Sequence, residues 1–464
     1  MIPQLWRLGA LVLLVCLAVT GPRTASAQVG ATTDIIAGTV TGPDSQPLGG
    51  ATVEVTSRET GGSRQVATDA RGRFTLLFPD GGGRYELVVR YIGMGPAQLS
   101  VARQRDEDRI VANVQMGLAA ITMEAVSVTA RRSGRAESVG RGATGQGLSR
   151  DEVARLPTDA SDLNTVATLA PGVLAIGGGD TSTAGFSVAG QRPTANNVTL
   201  DGMSLGSGEV PQDAVRAIRV VTNSYDVARG QFSGGLVAST TRSGTNTPQG
   251  SFTATLRDRT VAWGDATSTP FGQGMTQTQV GGGVGGPIVP NRLFVFAALQ
   301  GRWRAQALPS LATADATTLD RLGVSPDSAS RFRALAGATG MPAVLAGSDD
   351  RAGYNTLGLL RLDWQATPVH TVTLRLDGHW ISQEPTHVST LALPATGARR
   401  SEQSGGVMAS LTSYLGGNFV NEARGYVAAR RKDVSPLFAL PTARVDVASP
   451  LGNGGRRRDT HLRR

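Results

Sequence analysis

Residues 186–246 read FSVAGQRPTANNVTLDGMSLGSGEVPQDAVRAIRVVTNSYDVARGQFSGGLVASTTRSGTN, from Phe186 to Asn246. Short β-branched runs alternate with Gly, Asn and Ser turns. Phe186 and Val188, like Val198 and Leu200, stand two apart, as on one face of a half-buried strand. Asn196-Asn197 and Asp201-Gly202 are turn dipeptides. Beyond Pro211, Val215, Ile218 and Val220 mark a short element, and Gly234-Gly235 precedes a strand from Leu236 to Thr241. No residue set in the stretch has catalytic spacing.

Four motifs in order, GQRPTANNVTLDG, DAVRAIRV, GQFSGG and TRSGTN, resemble the plug domain of TonB-dependent outer-membrane receptors, in particular the Oar-like branch. The resemblance implies a mainly β chain: signal peptide, Ig/transthyretin-like β-sandwich, α+β plug domain, then the strands of a transmembrane β-barrel. It also implies a TonB energising complex, outer-membrane lipid and the barrel-assembly machinery as partners. A peptide, glycan or protein remains open as substrate.

Composition agrees with turn-rich β structure. The 464 residues include 60 Gly, and charged residues make up 17%, below the quarter or so usual for soluble domains. The net charge of +9 comes almost wholly from Arg scattered along the chain, and no nucleic-acid-binding motif accompanies it. The single cysteine, Cys16, lies in the first apolar run. Disulfides, thiol nucleophiles and Cys-ligated metals are thus excluded from a processed chain.

Residues 1–27 read as a secretory signal, with Arg7 as the positive flank, Leu8 to Val19 as the apolar run, and Ala25-Ser26-Ala27 ahead of cleavage before Gln28. The run is too short to span about 30 Å of hydrocarbon as a helix. A lipoprotein would modify Cys16, but Val15 fits poorly as the residue before it.

Residues 28–117 read as a separate sandwich. Alternation at Ile36/Gly38/Val40, Val53/Val55, Phe74/Leu76/Phe78 and Leu87/Val89/Tyr91 is broken by turn clusters. GTVTGPDSQPLGGATVEVTSRETG followed by TDARGRFTL resembles a carboxypeptidase-regulatory-like domain, which implies no catalytic residues there. His370, His379, His387 and His461 lie outside it and form no HExxH pair, so no metal or cofactor is expected. The sandwich reads as a sugar-binding module or as a folded spacer.

Residues 118–148 read as a linker. Its segment Glu124, Ala125, Val126, Ser127, Val128, Thr129, Ala130 resembles the TonB box, which binds by strand addition. A last sandwich strand or plain linker is the alternative. Residues 149–246 read as the plug, opened by a capping box Ser149 to Glu152 and a second helix near Ser161 to Leu169. Gly177 to Asp180 lacks the GK[ST] of a phosphate loop. Asp180, Arg192, Asp201 and Glu209 are polar plug-loop residues that either touch substrate or hydrogen-bond the barrel wall.

From residue 247 onward the segments lengthen. Leu360, Leu362 and Trp364 oppose Arg361, Asp363 and Gln365; after a short turn at Ala366 to Pro368, Val372, Leu374, Leu376 and Trp380 oppose Thr373, Arg375, Asp377 and His379. Apolar-out, polar-in alternation over about ten residues is the mark of a transmembrane β-strand. VGGGVGGPIVPNRLFVFAALQGRW resembles an early barrel hairpin, and Ala305 to Asp350 reads as an extracellular loop. Barrels of this type have about 22 strands, and residues 247–464 supply about seven or eight. The chain closes on GNGGRRRDTHLRR. The expectation is therefore the N-terminal portion of a receptor, a fragment or truncated frame. The competing expectations are a surface or adhesion protein without transport and an exported enzyme. The enzyme finds no carboxylate pair, zinc spacing or nucleophile elbow to support it.

Overall fold

The computed structural model describes residues 34–58, 61–78, 83–103, 109–117, 144–149, 159–176, 185–206, 208–223, 234–258, 275–308, 314–321, 323–338, 350–367, 369–386, 394–415, 420–438, 444–447 and 458–461, with Glu152, Arg155 and Val388. The signal segment, its cleavage site and the TonB-box-like residues 124–130 lie outside them, as does Asp180.

The sandwich comprises β1 (Asp34–Thr41), β2 (Thr52–Ser57), β3 (Ser63–Ala67), β4 (Arg73–Phe78), β5 (Arg84–Arg90), β6 (Ala97–Ala102), β7 (Arg109–Val111) and β8 (Val114–Gln115). One sheet runs β3-β2-β5-β6; the other runs β4-β1-β7, with β8 also on β1. The alternating residues meet between the sheets: Ile36, Val40, Val53, Val55, Leu76, Leu87 and Val89 are fully buried. Phe74 is 3% exposed, so Phe74→Ala should cost about 3–5 kcal/mol. A urea melt of the isolated domain, residues 28–117, checks this, and an unchanged midpoint would contradict it. At one end Asp34, wholly buried, accepts from the Tyr85 hydroxyl, the Arg103 guanidinium and, at 3.1 Å, the Gly83 N–H. Burial and the neighbouring Asp34 charge push the Tyr85 phenol well above its usual range.

The plug unit contains β9 (Thr144–Ser149), α1 (Leu163–Ala167), β10 (Val173–Ile176), β11 (Gly185–Val188), β12 (Asn197–Leu200), β13 (Met203–Ser204), β14 (Val215–Asn223) and β15 (Leu236–Thr241). Its main sheet is ordered β13-β12-β15-β14-β9, with β12 parallel to β15. One expectation is corrected. The linker does not run to residue 148, because Thr144–Ser149 pairs along β14, Leu148 opposite Ile218. The helix that the Ser149 to Glu152 capping box was expected to open lies outside the described residues except for Glu152 and Arg155. The second expected helix is capped by Asp162, whose carboxylate accepts from the Asn164 N–H at 3.0 Å.

Beyond it stands an antiparallel meander of seven strands: β16 (Gln249–Arg257), β17 (Met275–Val289), β18 (Leu293–Ala307), β19 (Asp350–Thr367), β20 (His370–Thr386), β21 (Ala398–Tyr414) and β22 (Val420–Pro436). A small hairpin, β23 (Arg444–Val447) with β24 (Arg458–His461), follows. The β18–β19 connection carries α2 (Ala316–Arg321) and α3 (Pro326–Ala338). No helix among the described residues is long and apolar enough to cross a membrane; the strands carry the spanning pattern. In β19 and β20 the odd-numbered Arg361, Asp363, Thr371, Thr373 and Arg375 are buried, while Trp364, Leu376 and Trp380 face outward. Tyr354 and Trp364, both outward, are ten residues apart on β19. At a rise of about 3.3 Å and a tilt of about 40° they stand about 25 Å apart along the normal, the height of a lipid-facing band between aromatic girdles.

Short turns join β17 to β18, β19 to β20 and β21 to β22 at one end of the meander. The sandwich meets that end. Ile35 and Leu77 pack on Tyr414, Arg64 Nη1 donates to Thr371 Oγ1 at 3.1 Å, and Asn246 Nδ2 bonds Asn291 at 2.6 Å and the Ser63 carbonyl at 3.5 Å.

Candidate functional site at the plug and strand wall

Asp201 sits at the β12–β13 hairpin tip. Both central residues take positive φ, 51° at Asp201 and 80° at Gly202, the conformation that Asp-Gly favours in a two-residue hairpin. The turn aims the carboxylate at the wall. Asp201 accepts from the Thr241 N–H at 2.8 Å, the Thr241 hydroxyl at 2.9 Å and Arg375 Nη1 at 2.8 Å; Arg361 Nη1 lies 3.9 Å away. Arg375 Nη1 also donates to the Leu200 carbonyl at 2.8 Å, and Arg424 Nη1 to the Asp201 carbonyl at 3.1 Å. A side chain at Gly202 would strike the Arg424 guanidinium.

Each of these arginines has a carboxylate on its own strand. Arg361 forks onto Asp363 at 2.9 Å, Arg375 Nε reaches Asp377 at 3.2 Å, and Arg424 pairs with Glu422. The Tyr426 hydroxyl donates to Asp377 at 2.8 Å, with its ring 5.4 Å from the Arg375 guanidinium carbon. Burial by itself would raise the Asp201 pKa; Arg361, Arg375 and the Thr241 N–H outweigh it and hold the carboxyl below its usual range.

A second contact lies farther from the short turns. Glu209 accepts from Asn355 Nδ2 at 2.5 Å and stands 3.5 Å from His379 Nε2, which also meets Asn355 Oδ1 at 2.9 Å. Burial pushes the Glu209 carboxyl up, against the pull of Arg302 and Asn355. Arg302 pairs with Asp159 and donates to Ser161 Oγ at 2.5 Å. Between the two contacts the interface is apolar: Phe296, Ala298 and Leu359 of the wall belong to the plug's own core cluster. The Gln212 N–H donates to Gln300 Oε1 at 2.8 Å.

Of the four polar plug residues singled out in the sequence, Asp201 and Glu209 touch the wall. Arg192 is exposed beside a 3-10 turn, Pro193–Ala195, without a side-chain cap. The wall partners Arg361, Arg375, Arg302, Asn355 and His379 were not singled out as site residues. Their signal was present: ionisable groups at the inward parity of a lipid-facing strand. Among the described residues no group of His, Cys, Asp and Glu is arranged to hold a metal ion. Among the described residues the arrangement is a hydrogen-bonded and ion-paired contact between plug and wall.

Residues 35–117 match the family described as carboxypeptidase regulatory-like domain, and residues 240–343 match the outer membrane beta barrel domain. The TonB-dependent transporter Oar of Myxococcus xanthus is 25% identical over 298 residues, covering 59% of this chain and 27% of the relative. The chain thus spans about a quarter of the length of that curated relative. Similar solved structures include the siderophore receptor PirA from Pseudomonas aeruginosa, at 13% identity and TM-score 0.41 over 62% of this chain and 41% of that one. The outer membrane transporter YddB from Escherichia coli is 14% identical, with TM-score 0.43 over 62% and 38%. This chain is an outer-membrane β protein that joins a carboxypeptidase regulatory-like domain to β-barrel strands, and in sequence it is similar to the TonB-dependent transporter Oar.

Proposed function

We propose that the chain forms the N-terminal part of an energised outer-membrane uptake receptor, and that it performs no covalent chemistry. The observation that carries the reading is the plug sheet held against the inner face of the strand wall by the Asp201–Arg375 contact. A charged, hydrogen-bonded seam of this kind seals a lumen and can be broken and remade, unlike a purely apolar core. The short-turn end, where the sandwich docks, is then the periplasmic side, and the long β18–β19 connection faces outward. Residues 124–130 serve as the TonB box, thirteen residues ahead of β9. The transported substrate is an oligopeptide, glycan or protein.

A periplasmic TonB C-terminal domain should therefore bind a peptide covering Met123 to Arg131. Proline at Val126 or Val128 removes a backbone donor from the added strand and should weaken binding at least about tenfold. Calorimetry on the wild-type and proline peptides tests this. Equal affinities would remove the box assignment and favour a surface protein without transport.

A further inference from the structure

We infer that the lumen at the long-loop end binds an oxyanion, carboxylate or phosphate, on the incoming substrate, through Arg257 and Arg304. The inference rests on the receptor reading and names the chemistry of its ligand. The inward face of the wall carries two tiers of arginine. In the tier near the short turns, Arg361, Arg375 and Arg424 each have a carboxylate on their own strand. In the outer tier, Arg302 pairs with Asp159 of the plug, while Arg400 and Arg430 share Glu402. Arg257 and Arg304 have no ion-pair or hydrogen-bond partner among the described residues, and both are exposed.

Register places the two together. Arg257 stands opposite Gln277, and Gln277 opposite Arg304, so the three share one face. Arg304 has the same parity on β18 as Arg302, which reaches into the plug, so that face is the lumen. The two Cα atoms are two strand spacings apart, about 10 Å, within the joint reach of two guanidinium groups. Arg302, Arg351 and Arg257 are the charged neighbours that act on Arg304, all of the same sign. Asp258, adjacent in sequence to Arg257, lies on the opposite parity and accepts from Thr276 Oγ1 at 3.2 Å. Arg257 and Arg304, two cations without an ion-pair partner among the described residues, at the mouth of a low-dielectric lumen, focus field toward anions. The planar guanidinium fork matches the two oxygens of a carboxylate or phosphate.

The test uses the 464-residue chain in neutral detergent and fluorescein-labelled hexaglutamate, with hexaglutamine as the uncharged control. Wild type should bind hexaglutamate and not hexaglutamine, and citrate and inorganic phosphate added as competitors should rank the two oxyanion classes. Arg257→Gln/Arg304→Gln should weaken hexaglutamate binding about tenfold or more, while Arg257→Lys/Arg304→Lys retains most of it. Arg399→Gln, at an exposed residue paired with Glu384, should change nothing. No hexaglutamate binding by wild type, an equal loss in Arg399→Gln, or full binding in the double glutamine variant would overturn the inference. The receptor reading is tested separately by the Met123 to Arg131 peptide, so either can fail alone.

Discussion

Asp201→Ala should loosen the plug from the wall by about 3–5 kcal/mol, because it strands Arg375, whose side chain is wholly buried. The pair itself need contribute little net stability, since both charges were taken out of water. The loss comes from what remains: a guanidinium with one ordinary ion-pair partner, Asp377 at 3.2 Å, and a Thr241 N–H and hydroxyl without their acceptor. Asp201→Asn should fall between, keeping an acceptor for Thr241 but no charge for Arg375. The reporter is Arg219, 4% exposed in the plug sheet, where trypsin cuts only after the plug opens. Asp201→Asn combined with Arg375→Gln should cost less than the sum of the single changes, as expected for contacting residues. Additive costs would mean that the contact does not hold the plug. Acid should act in the same direction. The docked state favours the charged carboxylate, so its contribution is full above the unfolded value near 3.8 and is lost as pH falls through the lower docked value. Wild-type tryptic opening that rises with acid no more than that of Asp201→Asn would overturn this assignment.

The strands were legible wherever one face is dry. Val53 and Val55, or Leu360 against Arg361, alternate because a pleated strand puts neighbours on opposite faces. The outer face of the wall was readable for the same reason, down to Trp364 and Trp380. Thr144–Ser149 was not readable. TGQGLS has two glycines and one buried apolar residue, Leu148. It is a strand because β14 offers it an open edge, a tertiary cause with no local pattern. The site was half legible for a similar reason. Asp201-Gly202 announces a turn, and Arg375 announces an inward charge, but their pairing joins residues 174 apart. No periodicity encodes that distance. The alternatives for Asp201 in the sequence, substrate or wall, differ only in what stands opposite the turn.

The glycines of VGGGVGGP were legible as a motif and not as a packing device; the wall gives them a reason, and a strong expected effect. Gly281, Gly283 and Gly285 stand opposite Gln300, Ala298 and Phe296, on the inward face of β17. A Cβ at Gly283 would lie 2.9 Å from Phe296 Cζ and 3.3 Å from Asp213 Cβ; one at Gly285 would lie 2.8 Å from Phe296 Cδ2. The bare backbone thus lets the Phe296 ring lie over β17, where it is 1% exposed and carries the Arg242 guanidinium 4.8 Å above its centre. Arg242 in turn donates to the Asp213 carbonyl at 3.2 Å, in the plug turn Gln212–Ala214. Gly283→Val should push the ring into that turn and cost about 1–3 kcal/mol or more. Phe296→Ala should cost about 3–5 kcal/mol by leaving a cavity between wall and plug. In Gly283→Val/Phe296→Ala the new side chain occupies part of the space the ring vacates, so the combined cost should fall below the sum. Urea midpoints together with cleavage at Arg219 measure all three variants. Strict additivity, or a Gly283→Val chain whose plug stays as closed as wild type, would show that the glycine face does not seat the plug.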